Sequence, residues 1–475
     1  MSSRSKSVIS FSYEVIKSER FNLKDLDVIV AGAGTGGSSA AKAAANAGLK
    51  VCLLDTKKRK DIGKKICGDA IGRHHFKALG LKDPTSDEIE CVMEGIRVFS
   101  PDRQTSYAVK GEKLYGYILN RYRFGQRLVK EAVGAGVYLY DETQVLEPII
   151  EEGFVRGVTA KDRKTGKKVE LRASLVVDAT GFFATIRRKL KPELDIETSV
   201  DNKDVEVCYR EIRRLKQPLD EPSLCQICVT HAITPGGYYW IFPEGEDKVN
   251  VGLGVAMTKG FPNPKEQLYK HVISQPLFVG SSVINGGSWF VPTRRPLDSM
   301  VGNGIMIVGD AACQVNPIHG GGIGPSMIGG SLAAETAARA IEKSDVSREG
   351  LWEYNVSYIR KYGSKQAGLE VFRILLQKMS DEDLNYGMHY KLLTEEDLLR
   401  TSMGENIHFT ITEKARRMLK GLKKISLLKR LRSAANIMRE VKNWYENYPT
   451  SPENFEEWRT GTKEIFEKAN TKLTE

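Results

Sequence analysis

The sequence predicts an α/β protein with a Rossmann-like dinucleotide-binding domain, an antiparallel β-sheet domain and a C-terminal helical region. Three observations predict it. An apolar run, Leu26 to Ala31, ends in Gly32-Ala33-Gly34-Thr35-Gly36-Gly37 and leads into a stretch of small residues. A second apolar run, Ile305 to Val308, ends in Gly309-Asp310 and is followed by Gly320-Gly321-Gly322. Between them, residues 96–118 and 201–294 alternate more often, hold more aromatics and place Pro and Gly at turns, as β structure does.

The first βαβ unit comes from residues 26–55. Leu26 to Ala31 reads as a buried strand, and Ser38 to Gly48, with six alanines, as a helix packed tightly on a sheet. Val51 to Leu54 is the next strand and ends at Asp55. In Gly32-x-Gly34-x-x-Gly37 the first glycine permits a tight turn, the second lets the backbone approach a pyrophosphate, and the third allows close helix–strand contact. The helix N-terminus adds amide donors and a positive dipole end. Asp55 can accept from ribose hydroxyls. This loop alone does not separate NAD from FAD.

The second loop points to FAD, a long dinucleotide gripped from both ends. Asp310, after a buried strand, can bind a ribityl hydroxyl. Gly320-Gly321-Gly322 opens a helix whose N-terminus can stabilise negative charge on a reduced flavin. Leu171 to Asp178 is a further buried strand, stopped by Ala179-Thr180-Gly181, and the chain is helical after Ser326. These elements divide the chain into an N-terminal extension (1–24), a discontinuous FAD-binding domain (25–95, 119–200 and 295–345), a substrate-binding β domain (96–118 and 201–294) and a helical domain (346–475).

Composition sets bounds on function. The 475 residues accommodate two or three compact units, and 41% hydrophobic with 28% charged residues is ordinary for a globular protein. No run approaches the roughly 18 apolar residues of a membrane span. The first 24 residues lack a secretory apolar run, so a cytoplasmic location is expected, with the inner membrane face as a second possibility. The seven cysteines form no framework spacing, and no metal site is expected; Cys225-Gln226-Ile227-Cys228 reads as structural thiols or an incidental disulfide. The formal charge of +11 is concentrated in Lys414 to Lys442, where Met418, Leu422 and Ile425, then Leu427, Leu431, Ala434 and Met438, recur at helical spacing. Such a helix either packs with a solvated basic face or lies on an anionic membrane. Nucleic acid is not expected, because no stacking or groove-reading motif accompanies the charge.

With these motifs in place, the chain resembles the p-hydroxybenzoate-hydroxylase-like flavoproteins, whose second FAD motif has the Gly-Asp pair. Thr180-Gly181-Phe182-Phe183-Ala184-Thr185-Ile186-Arg187 is similar to their middle motif, Asp-Gly-x-x-Ser-x-x-Arg, but departs at Thr180 and Ala184. The nicotinamide contact associated with that motif is therefore not carried over. Tyr238-Tyr239-Trp240-Ile241-Phe242-Pro243, eight residues, then Gly252-Leu253-Gly254 resembles the signature of geranylgeranyl reductases. Lys65-Ile66-Cys67-Gly68-Asp69-Ala70 is similar to the Cys-Gly-acid segment of their archaeal branch. The resemblance runs from Leu26 to the mid-340s. It implies a flavoenzyme that saturates isoprenoid double bonds, with FAD contacts at Gly36, Asp55, Cys67, Gly68, Ala70, Arg121, Val145, Asp310, Gly322 and Ile323.

In a strand Tyr238, Trp240 and Phe242 share one face and make an apolar wall suited to a prenyl chain. Reduction of an isolated alkene also needs a proton; Cys67, Tyr238, Tyr115 and water are the candidates, and the Trp240 ring can stabilise developing positive charge. His319 contacts either the flavin edge with the substrate or only its own loop. The electron donor is NAD(P)H or reduced ferredoxin. The alternatives are a monooxygenase or halogenase of the same fold and a flavin-containing membrane-surface binding protein. A quinone reductase with a Cys-ligated iron–sulfur cluster in its C-terminal part is not expected, because no cysteine follows Cys313.

Overall fold

The computed structural model describes residues 25–474 apart from 112, 113, 393, 396 and 398–423. The N-terminal extension and the start of the basic stretch, with Met418 and Leu422, lie outside the described residues.

The chain runs β1 (Leu26–Ala31), α1 (Thr35–Asn46), β2 (Val51–Leu54), β3 (Ala70–Gly72), α2 (His74–Ala78), β4 (Ile89–Met93), β5 (Gly95–Phe99), β6 (Ser106–Lys110), β7 (Gly116–Leu119) and α3 (Arg121–Gly134). It continues through β8 (Tyr138–Tyr140), β9 (Thr143–Glu151), β10 (Phe154–Asp162), β11 (Lys168–Asp178), β12 (Val205–Arg214), β13 (Leu224–Cys228), β14 (Tyr239–Pro243), β15 (Lys248–Ala256), α4 (Pro264–Gln267) and β16 (Ser282–Pro292). After β17 (Val301–Gly302) and β18 (Ile305–Ile307) come the helices α5 (Ile323–Glu342), α6 (Arg348–Tyr358), α7 (Ser364–Lys378), α8 (Asp381–His389), α9 (Ile425–Glu446) and α10 (Phe455–Lys472).

Three sheets result. In the first, β18, β11, β1, β2 and β8 pair in parallel, with β17 antiparallel at one edge and the β9–β10 hairpin extending β11. Its centre is buried on both faces, so Val28, Ile29 and Val30 form a continuous apolar run. The second is ordered β16-β12-β15-β14-β13-β5-β6 and is antiparallel except for the parallel β13–β5 pair. A small third sheet, β3-β7-β4, joins them, and it holds Gly116–Leu119 from the end of the first β-rich stretch.

Helices α1 and α5 cross at glycines. A Cβ on Gly330 would stand 2.3 Å from the Gly36 carbonyl oxygen, so the small-residue pattern is what lets the two helices touch. The crossing brings both glycine-rich loops together; the Thr35 and Ser326 hydroxyls lie 2.8 Å apart.

In α9 the residues Leu427, Ala434, Ile437, Met438, Val441 and Tyr445 are buried. This apolar stripe is spent on the protein core, with α7 beside it, so over the described part of the basic stretch the packed-helix reading holds. Cys225 and Cys228 are three apart on a strand and point to opposite faces. Cys225 contacts Met93, Cys228 faces the Ser100 carbonyl, and all seven cysteines are free thiols.

Candidate active site

The first loop is built by sterics. Gly32 has φ +107°, and a Cβ there would meet the Ala179 oxygen at 2.3 Å; one on Gly37 would meet the Gly32 oxygen at 1.8 Å. A Cβ on Gly34 would meet nothing within 4 Å. Gly34 thus borders open space that a pyrophosphate can enter. Asp55 closes the loop: one carboxylate oxygen accepts from the Ala33 amide at 2.9 Å, the other from the Lys57 amide at 2.8 Å. The Thr143 amide donates to the Asp55 carbonyl, which sets β9 and its buried Val145 beside this end.

The second loop lies across from it. The Asp310 carboxylate pairs with Lys65 at 3.1 Å, and Gly322 leaves room for it, since a Cβ there would lie 3.2 Å from Asp310 Oδ1. Arg121, the first residue of α3, is buried, and its Nε and Nη1 have no hydrogen-bond partner. A buried guanidinium with unused donors is costly unless an anionic group fills the space. The open ground above Gly34, the orphan donors of Arg121 and the Asp310–Gly322 corner together fit FAD.

Between and beyond the loops lies a cavity of about 750 Å³. Its wall carries Cys67, Gly68, Ala70, Arg121, Asp310, Gly321, Gly322, Ile323, Tyr238, Trp240, Phe242 and His319. Gly32, Gly34, Gly36, Gly37, Asp55 and Val145 stand outside this wall, on the nucleotide side of the fold. Tyr115 also stands outside it, which corrects the expectation of substrate contact. Its carbonyl accepts from the Arg73 amide and its ring packs edge-on against Tyr117, because β7 begins one residue later and carries it into the third sheet.

The aromatic signature has a geometric cause. Tyr238, Trp240 and Phe242 form one row with successive ring centroids 5.8 Å and 6.1 Å apart. Glu206, Cys208 and Arg210 on β12 form a second row on the same face. The strand between them, β15, offers Gly254 and Gly252 opposite Cys208 and Arg210. A Cβ on Gly252 would stand 2.5 Å from the Trp240 ring and 2.6 Å from Arg210 Cβ; one on Gly254 would stand 3.0 Å from Glu206 Oε2. The two glycines make a trough into which both rows lean.

At the floor of this trough lies a polar network that sequence reasoning missed. Trp240 Nε1 donates to Asn250 Oδ1 at 2.9 Å, and Asn250 Nδ2 donates to the Cys67 carbonyl and to Asp69 Oδ2 at 2.9 Å and 3.0 Å. Arg210 Nε donates to the same Cys67 carbonyl at 3.1 Å. Asp69 has φ +64°, unusual for a non-glycine residue, and its amide donates to Cys67 Sγ. Burial pushes the Asp69 carboxyl up to about 7, against the pull of Arg210 and Arg121. Burial likewise raises Glu206 to about 7, opposed by Arg373. Burial pushes the Cys67 thiol up, with the Asp69 charge adding to it, and moves the Tyr238 phenol well up. Tyr238 already donates its proton to the His319 carbonyl at 2.7 Å. A polar residue at every second place in a strand facing glycines was the available signal for Glu206 and Arg210.

Comparison with known proteins agrees with this geometry. A geranylgeranyl reductase catalytic domain model matches residues 204–292, the two rows and the trough, and an FAD-dependent oxidoreductase model matches residues 27–182. The digeranylgeranylglycerophospholipid reductase of Sulfolobus acidocaldarius is 41% identical over 94% of this chain and 99% of its own length. That of Methanothrix thermoacetophila is 33% identical over 76% of this chain and 90% of its own. The crystal structure of a geranylgeranyl bacteriochlorophyll reductase-like protein from Thermoplasma acidophilum superposes with a TM-score of 0.72 at 25% identity, over 86% of this chain and 99% of that one. The myxobacterial chondrochloren halogenase, with a TM-score of 0.62 at 17% identity over 84% of this chain and 97% of that one, shares the fold. A fold of FAD-binding type, a trough that falls within the match to the reductase catalytic domain, and a relative matched nearly end to end lead to one statement: the chain belongs to the digeranylgeranylglycerophospholipid reductase family of FAD-dependent oxidoreductases.

Proposed function

We propose that this protein is an FAD-dependent reductase that saturates the isoprenoid double bonds of geranylgeranyl groups, carried on digeranylgeranylglycerophospholipid or geranylgeranyl diphosphate, in archaeal membrane-lipid biosynthesis. The observation that carries the reading is the cavity that joins the flavin corner at Asp310 and Gly322 to the apolar wall of Tyr238, Trp240 and Phe242. An alkene chain has no polar handle, so shape and apolar contact must orient it.

Reduced flavin supplies the hydride. Gly34, Arg121, Asp310 and the turn at Gly321-Gly322 bind and orient the cofactor in this reading. The Trp240 ring, held by Asn250, faces the carbon that becomes electron-poor, an attraction worth about 2 kcal/mol when desolvated. Cys67 and Tyr238 line the same cavity. Glu206 is the better holder of the proton, because its buried carboxyl, raised to about 7, is still partly protonated at neutral pH while the Cys67 thiol and the Tyr238 phenol are held as weaker acids. External electrons come from NAD(P)H or reduced ferredoxin. Among the described residues no helix is long and apolar enough to cross a membrane.

The test is direct. Purified protein should be yellow, and after reduction by dithionite it should add one hydrogen pair per alkene to geranylgeranyl lipid, read by mass spectrometry. Colourless protein that takes up no FAD, or reduced protein that leaves the lipid unchanged, overturns the reading.

A further inference from the structure

Asn250 stands on β15 in the floor of the trough, fully buried, with Val249 and Val251 in the core on the opposite face and Gly252 next along its own. An amide at that depth is costly unless its oxygen and its nitrogen are both paired. Both are, and only one orientation allows it. An indole N–H can only donate, so Trp240 Nε1 claims Asn250 Oδ1 at 2.9 Å. The two Nδ2 hydrogens then face the other way, to the Cys67 carbonyl at 2.9 Å and to Asp69 Oδ2 at 3.0 Å.

The receiving end is the turn Cys67-Gly68-Asp69. Its Cys67 carbonyl also accepts from Arg210 Nε at 3.1 Å, so donors from the neighbouring strands β12 and β15 fasten one oxygen. The left-handed backbone at Asp69, φ +64°, folds the turn back, and the Asp69 amide donates to Cys67 Sγ at 3.3 Å. Gly68 lies flat on the aromatic row: a Cβ there would stand 3.3 Å from the Phe242 ring and 3.9 Å from Trp240 Nε1. The place of the sulfur therefore follows from where its own carbonyl is held. Burial pushes the Cys67 thiol up, and the Asp69 amide is among the groups that pull it back. Trp240 and Cys67 both line the cavity, while Asn250 stands behind that wall and ties the ring of the first to the turn of the second.

We propose that Asn250 is a positioning residue for alkene reduction, holding the Trp240 ring and the Cys67 thiol at a fixed separation on the cavity wall. The proposal rests on the reading of the cavity as a prenyl-reducing site. Asn250 acts through the two groups it holds, so its loss misplaces them without removing either.

The FAD-loaded protein is used throughout. Asn250→Leu keeps much of the side-chain volume and removes all three hydrogen bonds. Labelling by iodoacetamide at pH 8, read by mass spectrometry of the peptide that carries Cys67, reports on the thiol without turnover. Release of the turn takes the Asp69 amide away from the sulfur, so Cys67 labelling should slow by about threefold or more. Cys52 and Cys313, buried elsewhere, should label as in wild type. In lipid reduction kcat should fall by about tenfold, with KM within about twofold of wild type. A second variant, Trp240→Phe, removes only the indole donor that orients the amide; Cys67 labelling should slow in it too, and in the double variant it should slow no further than in Asn250→Leu. An unchanged Cys67 rate in Trp240→Phe, or a double variant in which the two effects simply add, overturns the link between ring and thiol. An unchanged kcat in Asn250→Leu, or faster labelling of Cys52 and Cys313 along with Cys67, which marks a general loss of packing, overturns the positioning role. If Asn250→Leu does not fold, Trp240→Phe decides alone. If wild type leaves the lipid unreduced, the functional reading fails, while the labelling still decides the link.

Discussion

Gly254 carries no side chain because Glu206 and Cys208 occupy the space one would need, and Gly252 makes the same concession to Trp240 and Arg210. The spacing from Trp240 to these glycines is thus a packing rule. It leaves room for a carboxyl to reach the cavity from β12, and Glu206 supplies it. Its folded-state pKa, about 7 against a usual 4.5, gives a signed prediction. The native state binds this proton more tightly than the unfolded chain, so stability falls as pH rises from the unfolded value through about 7. Glu206→Gln, which mimics the protonated form, should flatten that decline. At about pH 8 it should exceed wild type by roughly 3 kcal/mol, with little difference near pH 4, in chemical denaturation of the FAD-loaded protein. Asp69, also raised to about 7, keeps part of the slope in the variant. Reduction rates in Glu206→Gln should fall with the loss of the proton it holds, and a normal rate would move the proton source elsewhere.

At the scale of elements, the decisive contact is the crossing of α1 and α5. These helices come from residues far apart in the chain, yet the Gly36 oxygen lies where a Gly330 side chain would be. The two glycine-rich loops face each other because of it. Gly330→Val should push the helices apart, at a cost of about 1–3 kcal/mol typical of overpacking. The loops would separate with them. Flavin absorbance per protein should drop, and FAD affinity should weaken by at least about tenfold, while the β12–β16 sheet, which does not depend on this crossing, remains folded by far-ultraviolet dichroism. On the β side, the strand pattern Tyr238-x-Trp240-x-Phe242 was legible because a strand alternates faces and the three aromatics stand out. The third sheet was not. Its strands β3, β4 and β7 are short and pair across long sequence gaps, so no local period announces them, and Tyr115 was misplaced for that reason.

For the whole molecule, a formal charge of +11 bears on the electron source. Opposite charge steers encounter and is screened over about 10 Å at ordinary ionic strength. If an acidic iron–sulfur protein is the donor, raising salt from about 0.05 to about 0.5 M should slow flavin reduction by roughly tenfold. Dithionite, measured in parallel by loss of flavin absorbance, should show a much smaller effect. A salt-independent rate with the protein carrier would speak for the nicotinamide nucleotide.

The sequence by itself determined the βαβ unit, the position of Asp55, the strand that ends at Asp310 and the aromatic face of residues 238–242, because each rests on a local pattern of glycines, small residues or alternation. Only the tertiary structure decided that Asn250 joins Trp240 to Cys67 and Asp69, and that Glu206 shares their cavity. It also decided that the described apolar stripe of α9 is buried within the protein. These contacts join residues that are far apart in the chain, and their energy comes from burial and polar pairing that exist only once the three sheets and the C-terminal helices have closed around a shared cavity.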